Sequence, residues 1–163
     1  MPLKASLIIA LLCSSFCNAE VIRNQRGGYS FVFPPGWSLD RAPKDFTVVG
    51  PNKVELSELP TPPPPTQSLE QVTQFSVMAF TALWGANSTD QAFDLSGKKW
   101  KGRAVVLDVP SQPKKPPSQA VIFVAKSGKE FRQFYFSVPA EDWKNNSQQY
   151  LAILSTMRFP DSR

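Results

Sequence analysis

Both cysteines of this chain, Cys13 and Cys17, fall within its first nineteen residues, and no histidine occurs at any of its 163 positions. Whatever folds after residue 19 must therefore hold itself together by burying apolar surface, with no disulfide and no thiolate or imidazole metal staple. The leading segment follows a different logic. Lys4 precedes the largely apolar run from Ala5 to Cys13, and Cys17 and Ala19 form the small pair ahead of Glu20. A basic start, a short apolar stretch and a small-x-small site make up a secretory signal peptide, cut after Ala19. The run from Ala5 to Leu12, broken only by Ser6, is too short for a permanent span, which takes ~20 apolar residues. Leu12 and Phe16, directly ahead of the two cysteines, are bulky where a lipidation site wants a small residue. The chain is thus read as a leader over 1–19 and a single domain over 20–163, placed in the periplasm or outside the cell. No transmembrane segment is expected in the mature chain.

The 144 residues that remain are enough for one sizeable core. Only Lys4 among the 18 Lys and Arg is lost with the leader, so 13 Asp and Glu leave a net charge of +4. Such a mild excess serves solubility first and attraction to anionic surfaces second. The 16 prolines concentrate in two places: Pro60 with Pro62 to Pro65, and Pro110, Pro113, Pro116 and Pro117 interleaved with Lys114 and Lys115. Proline cannot enter sheet or helix interiors and favours extended polyproline II, so both stretches are read as connectors.

Between these punctuation marks the periodicity changes. Tyr29, Phe31 and Phe33 alternate with Ser30 and Val32, a strand with an aromatic face that Pro34-Pro35-Gly36 stops ahead of Trp37. Phe46 to Val49 and the Val54–Leu56 region follow as further strands, and the opening reads as an antiparallel meander. Ser68 and Gln71 form a capping box for a helix ending at Gly85. Leu69, Val72, Phe75, Ala79 and Ala82–Leu83 recur at helical spacing, and with Met78 and Trp84 they are expected to face a core. Phe93 to Leu95, Trp100 to Val109, Ala120 to Ala125 and Phe131 to Val138 add four strands, the last two joined by the turn Ser127-Gly128-Lys129 and the last covered on both faces. Ala140-Glu141-Asp142 opens a closing helix whose apolar face runs through Trp143, Tyr150, Leu151, Ile153, Leu154 and Met157. Strands, helix, strands, helix in one domain describe an α+β fold with helices packed on a mostly antiparallel sheet.

The residue inventory excludes whole classes of chemistry. Without histidine there is no Ser-His-Asp or Cys-His nucleophile system, and zinc and copper sites of the usual ligands are gone. The acids are scattered, which argues against an oxygen-ligated cation, and no glycine-rich phosphate loop follows a strand. No catalytic residue, cofactor or metal site is assigned. A small hydrolase using paired carboxylates or a Ser-Lys dyad, at Ser96-Gly97-Lys98 or Ser127-Gly128-Lys129, remains the first alternative; a carrier of lipid or apolar peptide is the second. Lys98, Lys99, Lys101 and Arg103 around Trp100 form the densest charge feature. They are the candidate partner-binding surface, suited to an acidic protein or anionic headgroups, and an exported protein meets little nucleic acid. Asn87-Ser88-Thr89 and Asn145-Asn146-Ser147 match the glycan acceptor pattern.

The order of these motifs resembles a known superfamily. Tyr29-Ser30-Phe31-Val32-Phe33-Pro34-Pro35-Gly36-Trp37 is similar to the opening strand and "PxGW" turn of PsbP-like domains. Tyr150 to Phe159, ending Ser155-Thr156-Met157-Arg158-Phe159, resembles their last helix and short terminal strand. That superfamily includes the extrinsic lumenal subunit of photosystem II, a yeast Ran-binding import factor and bacterial DcrB-like envelope proteins. The resemblance covers nearly all of 20–163 and implies an α/β/α sandwich. It also implies a non-catalytic accessory, docking or chaperone-like role on an envelope component. Metal binding by the photosynthetic members partly uses histidines, so it is not carried over.

Overall fold

The computed structural model describes residues 18–41, 45–59 and 66–159. Seven strands form one antiparallel sheet in the order β3 (Ser38–Asp40), β4 (Thr47–Val49), β5 (Glu55–Glu58), β9 (Glu130–Pro139), β8 (Ser118–Ser127), β7 (Lys101–Val109) and β6 (Asn87–Ser96). A separate hairpin pairs β1 (Glu20–Asn24) with β2 (Tyr29–Phe33). Helix α1 (Leu69–Trp84) covers one face of the sheet; helix α2 (Ala140–Ser155) and the β1–β2 hairpin cover the other. The α+β class and its helix–sheet–helix layering are those expected from the motif order.

Alternation along the central strands assigns each side chain to a layer. On β8, Val121, Phe123 and Ala125 join the core under α2, while Ala120, Ile122 and Val124 join the core under α1. All six are buried, so β8 reads as a continuous apolar run, as a strand covered on both faces must. The α2 side holds the larger share of aromatics: Phe31, Phe33, Phe123, Phe134 and Phe136 are fully buried. At about 1.5–3 kcal/mol for each large apolar side chain buried, this layer dominates the stabilisation.

Trp37 is a structural residue here. It is 6% exposed and packs against Phe33 at 5.1 Å, Phe136 at 5.8 Å and Tyr150 at 6.4 Å between ring centroids. Its indole lies so close to Gly50 that a Cβ there would stand 2.5–2.7 Å from the ring, which is why glycine occupies that position. The closing chain also behaves as its motif implies. Arg158 pairs with Ser30 through two backbone bonds, Ser30 N to Arg158 O at 3.0 Å and Arg158 N to Ser30 O at 2.9 Å, so β2 has a neighbour on each side.

Four expectations are corrected. The opening strands do not form one meander, because Tyr29–Phe33 pairs with Glu20–Asn24 in its own two-stranded sheet and only β3, β4 and β5 run consecutively in the main one. The strand expected at Phe93 to Leu95 extends over Asn87–Ser96, because its mostly polar side chains carry no alternation of hydrophobicity. The second proline stretch is no extended connector: Gln112 and Lys115 pair across a tight turn in which Lys114 takes φ 69°. Finally, α1 does not bury its whole apolar stripe; Val72, Thr73, Ser76 and Phe80 face inward, while Phe75 and Met78 face out. The first proline run and the greater part of the leader, both cysteines included, lie outside the described residues.

Candidate functional site

The basic stretch is organised around Trp100. Its indole Nε1 donates to the Met157 carbonyl at 2.7 Å and its ring meets Phe123 edge-on at 5.8 Å, so the aromatic is an anchor, 4% exposed. Gly97 makes this possible: its N–H donates to the Trp100 carbonyl at 3.0 Å, and a Cβ at residue 97 would collide with the indole. The anchored turn between β6 and β7 then carries Lys98 and Lys99 exposed on its outside. Ser127 Oγ donates to the Lys99 carbonyl at 2.9 Å and ties the turn to the end of β8.

Lys98 and Lys99 border an open groove of about 740 Å³, whose opposite side is formed by Thr156, Met157 and Arg158. Three cationic residues thus line one concavity, built from the β6–β7 turn and the segment after α2, with Val32 of β2 and Ala19, the last residue of the expected leader, also at its wall. Sequence neighbours are separated at this point. Lys101 and Arg103 sit on β7 with Val105 two residues further along, and Val105 packs against the core under α1, so by strand alternation both cations belong to the α1 face of the sheet. Lys101 stands opposite Lys126 across the β7–β8 pairing, and Arg103 forms an exposed ion pair with Asp94 at 3.1 Å. The four candidate residues therefore form two groups, Lys98 and Lys99 at the groove and Lys101 and Arg103 on the sheet face.

A second polar assembly escaped sequence reading. Tyr29 donates its hydroxyl to Glu58 Oε2 at 2.7 Å, and Asn24 Nδ2 donates to the same oxygen at 3.0 Å and to the Tyr29 oxygen at 2.9 Å. Arg132 donates to the Gly27 carbonyl from Nε at 3.1 Å and Nη2 at 2.9 Å, with Nε 3.9 Å from Glu58 Oε1. Burial, the dominant cause, and the Glu58 carboxylate both push the Tyr29 phenol well above its ordinary value. The assembly locks the β1–β2 hairpin onto β5 and β9 with its polar atoms matched, which is an architectural task. No local pattern announces it, because Tyr29 and Glu58 lie 29 positions apart.

On the opposite face, Phe80, Tyr135 and Trp84 stack, with Phe80 5.1 Å from Tyr135 and 6.4 Å from Trp84. Together with Pro110, Lys115 and Pro116 they line a shallow cleft of about 70 Å³. Burial raises the Tyr135 phenol, against a lowering contribution from the Ser137 hydrogen bond. Among the described residues no group of three His, Cys, Asp or Glu is placed to hold a metal, and no helix is long and apolar enough to cross a membrane.

No protein-family model matches the chain, and no curated protein sequence matches it. Solved structures do. The chain is similar to the solution structure of cyanobacterial PsbP from Synechocystis sp., with a TM-score of 0.63 and 14% identity over 87% of this chain and 92% of that one. It is also similar to a Bacteroides thetaiotaomicron protein, with a TM-score of 0.56 and 10% identity over 88% of this chain and 49% of that one. A Pseudomonas aeruginosa protein matches with a TM-score of 0.52 and 8% identity over 89% of this chain and 99% of that one. These likenesses place the architecture in the PsbP-like fold.

Proposed function

We propose that this PsbP-like fold serves as an exported, non-catalytic accessory protein that docks on an anionic component of the cell envelope. The observation that carries the reading is the groove beside Trp100, where Lys98, Lys99 and Arg158 converge from two separate segments on a rigid anchor. Cations gathered in one concavity raise the local potential and favour an acidic partner over a neutral one. Export is read from the leader over residues 1–19, and the accessory role is supported by likeness of fold to PsbP. Lys101 lies beyond this groove, on the other face of the sheet, with Arg103 paired to Asp94 beside it.

The hydrolase alternative finds less support in the side-chain geometry. Ser127, half of one proposed Ser-Lys dyad, gives its hydroxyl hydrogen to the Lys99 carbonyl. Asp94, Asp108 and Asp142 are engaged respectively by Arg103, by Gln119, and by Asn146 and Tyr150.

Reversing the charge at Lys98, Lys99 and Lys101 with glutamate tests the reading. Capture of crosslinked envelope components by the immobilised protein is expected to weaken as salt rises, since exposed attraction is screened over ~8 Å at physiological ionic strength. The triple variant is expected to lose the salt-sensitive fraction while its thermal midpoint stays unchanged, because these side chains are exposed. Undiminished capture by that variant would move the docking surface elsewhere.

A further inference from the structure

The cleft on the α1 side of the sheet combines an open aromatic surface with fixed polar groups. Trp84 lies 6.4 Å from Phe80 and 6.5 Å from Tyr135 between ring centroids, with planes inclined by only 14° and 19°, so the three rings form one block. Phe80 is buried and Tyr135 half-buried, which fixes the orientation of the indole, yet Trp84 itself stays 42% exposed. The other three tryptophans, Trp37, Trp100 and Trp143, are only 4–6% exposed. Gln112 and Lys115 line the same cleft from a turn closed by two backbone bonds, Gln112 N to Lys115 O at 3.1 Å and Lys115 N to Gln112 O at 2.9 Å. Lys114 takes φ 69° inside that turn, a left-handed conformation uncommon for a residue with a Cβ. Backbone held in this way is concentrated where side chains are positioned for a ligand. Ser118 and Ser137 complete the polar part of the lining, and Lys115 is its single charged residue.

We propose that this cleft binds a glycan, with a pyranose ring stacked on the Trp84–Tyr135 surface and acidic sugars preferred. Three features select this ligand. A pyranose presents an apolar C–H face, which packs on the electron-rich face of an indole or phenol. Around that face it carries hydroxyls that both donate and accept, and the Gln112 amide with the Ser118 and Ser137 hydroxyls can do both in return. At about 70 Å³ the cleft is far below the ~300 Å³ of a pocket that encloses its ligand, so the occupant lies across it, as one sugar of a chain does. The preference for a carboxylate-bearing sugar comes from the Lys115 ammonium. A proline-rich peptide also docks on aromatic surfaces, but its prolines bring carbonyl acceptors and no N–H donors, which leaves the acceptors of this lining unmatched. The site lies on the opposite face of the sheet from the groove at Lys98 and Lys99 and does not depend on what that groove binds.

Trp84 is the one exposed tryptophan, so acrylamide quenching of the intrinsic fluorescence of the purified full chain reads this cleft. Tetragalacturonate is expected to shield Trp84 saturably, and cellotetraose to do so more weakly. Lys115→Gln is expected to weaken binding of the acidic sugar by up to about five-fold and to leave the neutral one unchanged. Gln112→Ala is expected to weaken both by about two- to ten-fold, the worth of one hydrogen bond. Trp84 left unshielded by both sugars would overturn the proposal, as would shielding that neither variant weakens. Shielding by decaproline in place of the sugars would assign the cleft to a proline-rich partner. Acidic-sugar binding lost in Lys98→Glu with Lys99→Glu but kept in Lys115→Gln would place the sugar in the cationic groove.

Discussion

The phenol of Tyr29 shows how one buried group makes stability depend on pH. Its ring is 3% exposed and meets Phe31, Phe46 and Phe134 edge-on, while its hydroxyl is held between Glu58 and Asn24. Burial resists phenolate formation, and a carboxylate at hydrogen-bond distance resists it further. Its folded-state pKa therefore lies above the unfolded value of about 10, and the folded state keeps a proton that the unfolded chain gives up. Stability from this group is complete below about pH 10 and is lost as pH rises beyond it. Tyr150, raised by burial and by Asp142, acts in the same direction. The thermal midpoint is accordingly expected to fall steeply above pH 10, and Tyr29→Phe to make that limb shallower. The same variant is expected to cost about 1–3 kcal/mol near neutral pH, because it leaves Glu58 short of a donor. Equal alkaline slopes in the two proteins would show that the Tyr29 proton is not retained.

At the scale of elements, α1 carries both the clearest and the most misleading signals of the chain. Its start is defined locally: Ser68 Oγ accepts from Gln71 N at 3.1 Å and Gln71 Oε1 accepts from Ser68 N at 2.9 Å, closing the capping box. Its end is equally local, with Gly85 in the left-handed conformation at φ 62°. Ser68→Ala is expected to destabilise the protein by about 1 kcal/mol, measured by denaturant unfolding, since one end-of-helix N–H loses its partner. A loss near zero would mean that tertiary packing alone holds the first turn. The rotation of the helix about its axis was not legible in the same way. The apolar positions surround the helix instead of forming one stripe, and which of them turned inward depended on Ser76 meeting Gln133 and Phe80 meeting Tyr135 on β9.

For the whole molecule, the decisive fact is that both cores hang on the same strands. β7 and β8 each send alternate side chains to the α1 side and to the α2 side, so neither layer can dissolve without exposing the back of the other. Heating is expected to give one cooperative transition over residues 20–163, read equally by circular dichroism and tryptophan fluorescence. Both cysteines lie ahead of residue 18 and no metal cluster is formed among the described residues, so for residues 20–163 neither reductant nor chelator is expected to move the midpoint. Two resolved transitions, or a shift with chelator, would reveal a second folding unit or an oxygen-ligated ion. The cationic groove and helix α1 lie on opposite faces of one sheet.

Local chemistry determined much of this protein from sequence alone. The aromatic alternation of Tyr29 to Phe33, the Ser68–Gln71 capping box, the turn at Gly128 and the acidic start of α2 each depend on residues a few positions apart, and each formed as its local physics dictates. The motif order carried the fold class as well. What tertiary structure decided involves partners distant in the chain. Ser30 pairs with Arg158, which gives β2 its second neighbour, and no run of residues around position 30 encodes that choice. Glu58 was assigned to Tyr29 and Asn24 by the docking of the hairpin. The basic stretch was divided because the chain enters a strand at Lys101, and a strand sends successive side chains to opposite faces. Charge density is a property of the sequence; the face on which each charge emerges is set by the packing of Trp100 and Val105 on the two sides of the sheet.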